Sequence, residues 1–182
     1  PDDKSTLYPI HEELLKANKI HGVEVLNHKE YYPVSFDWCK QYGIAPFANT
    51  DIHDLVNGSY GLEPGKFRPM TLVFATERSE KGIKEALFAR RTAALFDGKL
   101  FGKDEYLMKL IQSSLKIRRI NDRTIEVTNT SDVPYEMTNG GKLYLFPCKK
   151  TVRIGIPKEG ALVFENCFIG MNQKLSIPFE YW

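Results

Sequence analysis

Ile44-Ala45-Pro46-Phe47-Ala48-Asn49-Thr50-Asp51-Ile52-His53 is an apolar segment that ends in a carboxylate and an imidazole two residues apart. The apolar start, Ile44–Thr50, reads as a short strand. Residues i and i+2 of a strand project from one face. The spacing therefore predicts that Asp51 and His53 point together from the strand's C-terminal mouth, where α/β folds place their chemistry. A carboxylate beside a neutral imidazole suits a divalent ion: Zn, Mn or Fe. As a bare pattern Asp-x-His is weak, so its surroundings decide what it means.

Upstream, residues 9–18 carry Ile10, Leu14 and Ala17 on one helical stripe, with a Pro at the start and an Asn at the end. Gly22–Asn27 reads as a strand with Glu24 in its middle, and Val34–Tyr42 as a helix closed by Gly43. Downstream, residues 54–69 hold three Gly and two Pro, the composition of a long irregular binding loop. Met70–Thr76 is β-prone, and Ser79 offers an N-cap for a helix over 80–90. Arg91–Phe96 returns as a strand that ends at the turn pair Asp97-Gly98. This alternation predicts a parallel α/β sheet or barrel. After Ser113 the pattern changes to short alternating segments at 117–120, 124–129, 135–138, 142–146, 151–156, 161–168 and 174–179. Turn pairs separate them: Asn121-Asp122, Asn139-Gly140-Gly141, Glu159-Gly160 and Gly170-Met171-Asn172. Such a run without helices predicts a small β-sandwich. The expected division is 1–113 and 114–182.

A chain of 182 residues with 42% apolar and 26% charged residues has the composition of a soluble globular protein. No run approaches the roughly 18 apolar residues of a membrane span. Net charge is +2, split as +3 over 114–182 and −1 over 1–113, without the basic excess of a nucleic-acid module. Lys116-Ile117-Arg118-Arg119 reads as a solvated strand face. Three cysteines leave an odd count; Cys39 reads as a buried small hydrophobe, and Cys148 with Cys167 as a pair only in an oxidising compartment. The sequence starts at Pro1, so localisation stays open: periplasmic or secreted if a signal peptide has been removed, cytoplasmic otherwise.

Gly22-Val23-Glu24-Val25-Leu26-Asn27, Tyr31-Tyr32-Pro33, Trp38-Cys39, Asn49-Thr50-Asp51-Ile52-His53, Met70–Ala75 and Ala86–Thr92 occur in the order of the later part of a polymerase-and-histidinol-phosphatase (PHP) domain. Over roughly residues 7–112 the chain resembles that family, and 114–182 resembles the small β-domain appended to some bacterial members. The resemblance implies the later part of a distorted (β/α)7 barrel followed by a small all-β sandwich-like domain. It further implies a metal-dependent phosphoesterase acting on a small-molecule phosphate ester, with divalent metal ions at the strand ends. Asp51 and His53 match the family's final Asp-x-His and are expected to be metal ligands and catalytic; Glu24 matches a Glu at the preceding strand end and is expected to join the metal site. The family's opening His-x-His, middle Glu or His, and His-Pro motif have no counterpart among His11, His21, His28 and His53. The chain is thus expected to correspond to a C-terminal half that needs the upstream half of the same barrel, and to be inactive alone.

Plainer readings stand beside these. Glu24 in an apolar strand is either a site carboxylate or a buried acid paired with a cation, because an unpaired buried charge is costly. Asn27 is a substrate-binding hydrogen bonder or a loop residue. Arg91 reaches a substrate phosphate bidentately or makes a structural ion pair. His11, His21 and His28 read as structure or surface, and Tyr31, Tyr32, Phe36 and Trp38 as packing. The alternative function is a non-enzymatic binding or scaffold module acting through the β-sandwich.

Overall fold

The computed structural model describes residues 5–61, 67–157 and 160–181. Residues 62–66 of the expected binding loop and Glu159 of one turn pair lie outside these. The chain is a mixed α/β structure, mostly sheet with few helices, with one sheet curled into a half-barrel.

The first unit holds α1 (Pro9–Lys16), β1 (Gly22–Asn27), β2 (Glu30–Tyr31), α2 (Pro33–Tyr42) and β3 (Ala45–Asn49). α2 starts with Pro33 at its first turn and stops at Gly43, whose φ of 64° gives a left-handed cap. β1 pairs in parallel with β3 (Glu24 opposite Phe47, Asn27 opposite Asn49) and antiparallel with β2. A register shift between Glu24 and Leu26 resets the pleat. Val25 and Leu26 are consequently both buried, and Glu24 and Asn27 share the other face.

The second unit runs α3 (Val56–Tyr60), β4 (Met70–Val73), α4 (Glu80–Phe88), β5 (Thr92–Phe96), β6 (Lys99–Gly102) and α5 (Asp104–Ser114). Ser79 Oγ accepts from Gly82 N at 3.0 Å and caps α4. β4 and β5 pair antiparallel, and Asp97-Gly98, with φ of 49° and 69°, closes β5 and β6 as a tight hairpin. The expected wholly parallel sheet is therefore corrected: among these elements only β1 and β3 form a parallel ladder. The expected helices and strands occur in the expected order, with β2, α3, β6 and α5 added among and after them. β4 runs against β5 although α4 joins them, and the two-residue turn reverses β6 against β5.

β3 is joined to β4 and β5 by threonines. Thr71 Oγ1 accepts from Ala48 N and donates to Ala48 O, at 2.9 and 3.0 Å, and Thr92 Oγ1 donates to Pro46 O at 2.8 Å. These hydroxyls occupy the polar groups of a strand that Pro46 deprives of one donor. They also show that β5 runs the same way as β3, since Thr92 lies against Pro46 and Phe96 meets Tyr60 beyond the far end of β3.

The remaining strands are β7 (Leu115–Asn121), β8 (Thr124–Asn129), β9 (Tyr135–Asn139), β10 (Lys142–Phe146), β11 (Thr151–Gly155), β12 (Ala161–Gly170) and β13 (Gln173–Pro178), close to the expected segments. β11-β8-β7 form one sheet; β10-β9-β12-β6-β5-β4, with β13 on β12, form another. β12 pairs in parallel with β6 (Cys167 opposite Leu100, Phe168 opposite Phe101), so hydrogen bonding crosses residue 113.

One core collects Leu107, Ile111, Ile125, Val127, Tyr135, Met137, Phe146, Leu162 and Phe164 from α5, the seven-stranded sheet and the β11-β8-β7 sheet. A second collects Val25, Leu26, Phe36, Cys39, Ile44, Ala48, Ala94 and Phe101 beneath β1 and β3. Phe101 lies 4.6 Å from Tyr31, 5.0 Å from Phe168 and 5.8 Å from Phe36, ring to ring. All three cysteines are free. Cys167 is completely buried and Cys148 only partly, with its Sγ donating to Asp132 O at 3.0 Å. No disulfide joins them.

Candidate metal and phosphate site at the ends of two parallel strands

Parallel pairing of β1 with β3 brings their C-terminal ends together. From β1 come Glu24, Asn27 and His28; from the end of β3 come Asn49, Thr50, Asp51 and His53. Asn27 and Asn49, opposite each other, both donate a side-chain amide to the Glu24 carboxylate, Asn27 to Oε2 at 2.8 Å and Asn49 to Oε1. Glu24 is exposed. The reading of Glu24 as a buried acid held by a cation is corrected: Glu24 alternates outward against buried Val25, and two amides take its oxygens.

Asp51 and His53 converge, with Oδ1 and Nε2 3.6 Å apart and side chains 61% and 86% exposed. The pleat of a strand does not bring this about. β3 ends at Asn49, and Asp51 takes a left-handed φ of 47° that curls the chain so that both side chains face one space. Two donors at zinc-ligand distances, about 2.0–2.1 Å in a tetrahedral array, lie about 3.4 Å apart. The pair therefore fits two positions around a single ion. Among the described residues no group of three or more His, Cys, Asp or Glu side chains gathers as a metal site.

Arg91 lies elsewhere. Its Nε donates to Phe74 O at 3.0 Å, and its Nη1 to Glu85 Oε1 at 2.9 Å, with Nη2 on Glu85 Oε2. Hydrogen bonding from Arg91 holds the Glu85 carboxyl below its ordinary range. The neighbouring Thr92 meets Pro46, five residues before Asp51, about 16 Å along an extended chain. The structure thus shows the ion pair and keeps Arg91 at the opposite end of β3. Near that opposite end is a cavity of about 290 Å³, lined by Phe36, Cys39, Ile44, Pro46, Gly102 and Ile169 among others. Its lining is mixed, with Lys40, Lys103, Asp104 and Gln173 beside the apolar side chains, and the site chemistry lies at the other end of the strand.

Two residues at the site had no reading as such in the sequence, His28 and Tyr60. His28 N donates to Asn49 O at 3.1 Å, its Nδ1 lies 3.1 Å from Tyr60 Oη, and Tyr60 Oη donates to Thr50 O at 2.8 Å. The Tyr60 ring packs edge-on against Phe96, and Lys29 Nζ sits 5.7 Å from its centroid. The signal for His28 was its place just past the end of β1, the strand parallel to β3. Tyr60 belongs to the stretch read as irregular loop, where a five-residue helix, α3, forms.

A solved structure shares this arrangement of chain. The fold is similar to a two-domain protein from Bacteroides vulgatus described as containing a predicted PHP-like metal-dependent phosphoesterase, with a TM-score of 0.87 and 29% identity. The match covers 97% of this chain and 57% of that one, so the chain spans little more than half of its neighbour's length. No protein-family model and no curated protein matches the sequence. The likeness extends over both the strand-end region and the β-rich residues 114–182 and supports a PHP-like relationship. No helix among the described residues is long and apolar enough to cross a membrane. Arg118 pairs with Glu126 and Arg119 with Asp122 on the exposed face of β7, as expected of a solvated strand.

Proposed function

We propose that this chain forms part of a metal-dependent phosphoesterase that hydrolyses a small-molecule phosphate ester, with Asp51 and His53 as two ligands of a divalent ion, Zn, Mn or Fe. The observation that carries the reading is the convergence of Asp51 and His53 to 3.6 Å at the C-terminal ends of parallel strands. The likeness to a protein described as PHP-like and metal-dependent supports it. The chemistry such an ion supplies is acidification of a water and polarisation of a phosphate oxygen.

In this reading Glu24 holds the amides of Asn27 and Asn49 in place, which leaves those amides to orient the strand ends rather than to grip substrate. Residues 1–113 are the barrel portion and 114–182 the β-portion, tied to it through β6 and β12. Two side chains cannot fix an ion firmly, since structural and catalytic sites use three or four protein ligands. In this reading the remaining donors come from the upstream half of the same barrel, and the 182 residues alone bind metal weakly and do not turn over substrate.

The test is hydrolysis of p-nitrophenyl phosphate by the gene's full-length product. Turnover lost on chelation and restored by Zn²⁺, Mn²⁺ or Fe²⁺ supports the reading; an absence of metal-dependent turnover with any of several phosphomonoesters argues against it.

A further inference from the structure

Tyr60 joins three pieces of the site with one hydroxyl. Its Oη is 2.8 Å from Thr50 O and 3.1 Å from His28 Nδ1. A phenol has one proton to give, and a carbonyl oxygen can only accept. The shorter contact therefore takes the phenol proton, because otherwise two oxygen acceptors would face each other at 2.8 Å. The longer contact must then run the other way, with His28 Nδ1–H donating to Oη. That fixes the imidazole in its Nδ1–H form and leaves the lone pair on Nε2. The phenol holds its proton well, since burial, and then the charge of Asp51, push its pKa above 10.

Both partners sit where backbone conformation is unusual. Thr50 immediately precedes Asp51, and Asp51 and His28 take left-handed φ values of 47° and 53°. Non-glycine residues hold such conformations when surrounding contacts over-determine them. Here the contacts are Tyr60 Oη on the Thr50 carbonyl, His28 N on Asn49 O, and the Tyr60 ring against Phe96 at 6.3 Å.

We propose that Tyr60 is a positioning residue of the Asp51–His53 site, bracing the turn that presents Asp51 and locking His28 with Nε2 as an outward proton acceptor. The role as part of a metal site rests on the phosphoesterase reading; the tautomer of His28 does not. Loss of outer groups that orient the ligands of a metal site typically costs about 10–100-fold in metal affinity or activity, and Tyr60 orients Asp51 in this way through the Thr50 carbonyl.

The experiment uses the 182-residue chain with ¹⁵N-labelled histidine and its Tyr60→Phe variant, which keeps the ring on Phe96. Long-range ¹H–¹⁵N correlation, with His28→Gln to assign the signal, reads the tautomer. His28 in the Nδ1–H form, reverting in Tyr60→Phe to the Nε2–H form that imidazole otherwise prefers, supports the proposal. An Nε2–H ring in the unsubstituted chain, or a ring unchanged by Tyr60→Phe, overturns it. Titration of the full-length protein and of its Tyr60→Phe variant with Zn²⁺ reads the consequence: affinity weakened about tenfold or more in Tyr60→Phe supports positioning, and equal affinity overturns it. If Zn²⁺ binds neither protein, the phosphoesterase reading is weakened while the tautomer still decides the lock on His28.

Discussion

Asn166 gives the sharpest test of how the β-rich residues are fastened to the β5–β6 hairpin. It is 6% exposed on β12. Its Nδ2 donates to Gly98 O at 2.6 Å and to Pro134 O at 2.7 Å, and its Oδ1 accepts from Glu136 N at 3.1 Å. Two carbonyls and one amide proton fix the orientation of the side-chain amide without ambiguity. The side chain therefore ties the β5–β6 turn to the segment entering β9. Asn166→Ala strips a partner from three backbone groups. An orphaned buried group costs about 1–3 kcal/mol, and these three part-buried groups fall at the low end. A loss of about 2–3 kcal/mol is expected, a sizeable share of the stability of an ordinary domain. Urea unfolding followed by circular dichroism and tryptophan fluorescence measures it, with the midpoint lowered and the slope unchanged. A loss below about 1 kcal/mol would refute the reasoning, since it would mean that water or another donor takes up all three positions.

Arg91→Ala, which removes an ion pair at the far end of β3, is expected to lower the thermal midpoint while leaving turnover of the full-length enzyme unchanged; a selective rise in KM would return Arg91 to the substrate. Glu85, Glu126 and Glu165 are held below the ordinary carboxyl value of 4.5 by hydrogen bonds from Arg91, from Arg118 and Arg153, and from Lys174 and Thr138. In the unfolded chain these groups bind protons at higher pH than in the folded one, so their stabilisation is present at neutral pH and lost as pH falls below about 4.5. Urea midpoints from pH 7 to 3 should show that decline, and Glu126→Gln should flatten it; a profile unchanged by Glu126→Gln would contradict the assignment. Burial pushes the Cys39 and Cys167 thiols up to about 12. Under native conditions iodoacetamide is expected to label Cys148 first, read by peptide mass spectrometry, and equal labelling of Cys39 would contradict its burial.

Much of the element order was legible because apolar periodicity and turn residues report local structure directly. Gly22–Asn27, Thr124–Asn129 and Lys142–Phe146 carry complete strand patterns and match the observed strands. What escaped the sequence was set by tertiary contact. β6 and α5 follow a hairpin turn that was recognised only as the end of a strand, and strand direction depended on the pairing partner. Glu24 was read as a site carboxylate or a buried acid, but it lies on the exposed face, where one shifted residue brings Asn27 beside it. Asp51 and His53 converge through a left-handed turn that no i, i+2 rule encodes. Tyr60 carries no local sign of its role, because the role consists of bonds to Thr50 and His28, ten and thirty-two residues away.

The central claim is that Asp51 and His53 together hold a divalent ion that hydrolysis requires. It is tested most directly by metal content and p-nitrophenyl phosphate turnover of the full-length protein, unsubstituted and as His53→Ala and Asp51→Asn. The account predicts that each substitution removes most of the turnover and a share of the bound metal, while circular dichroism shows the β-strands still folded. Turnover and metal content unchanged in both variants would contradict it.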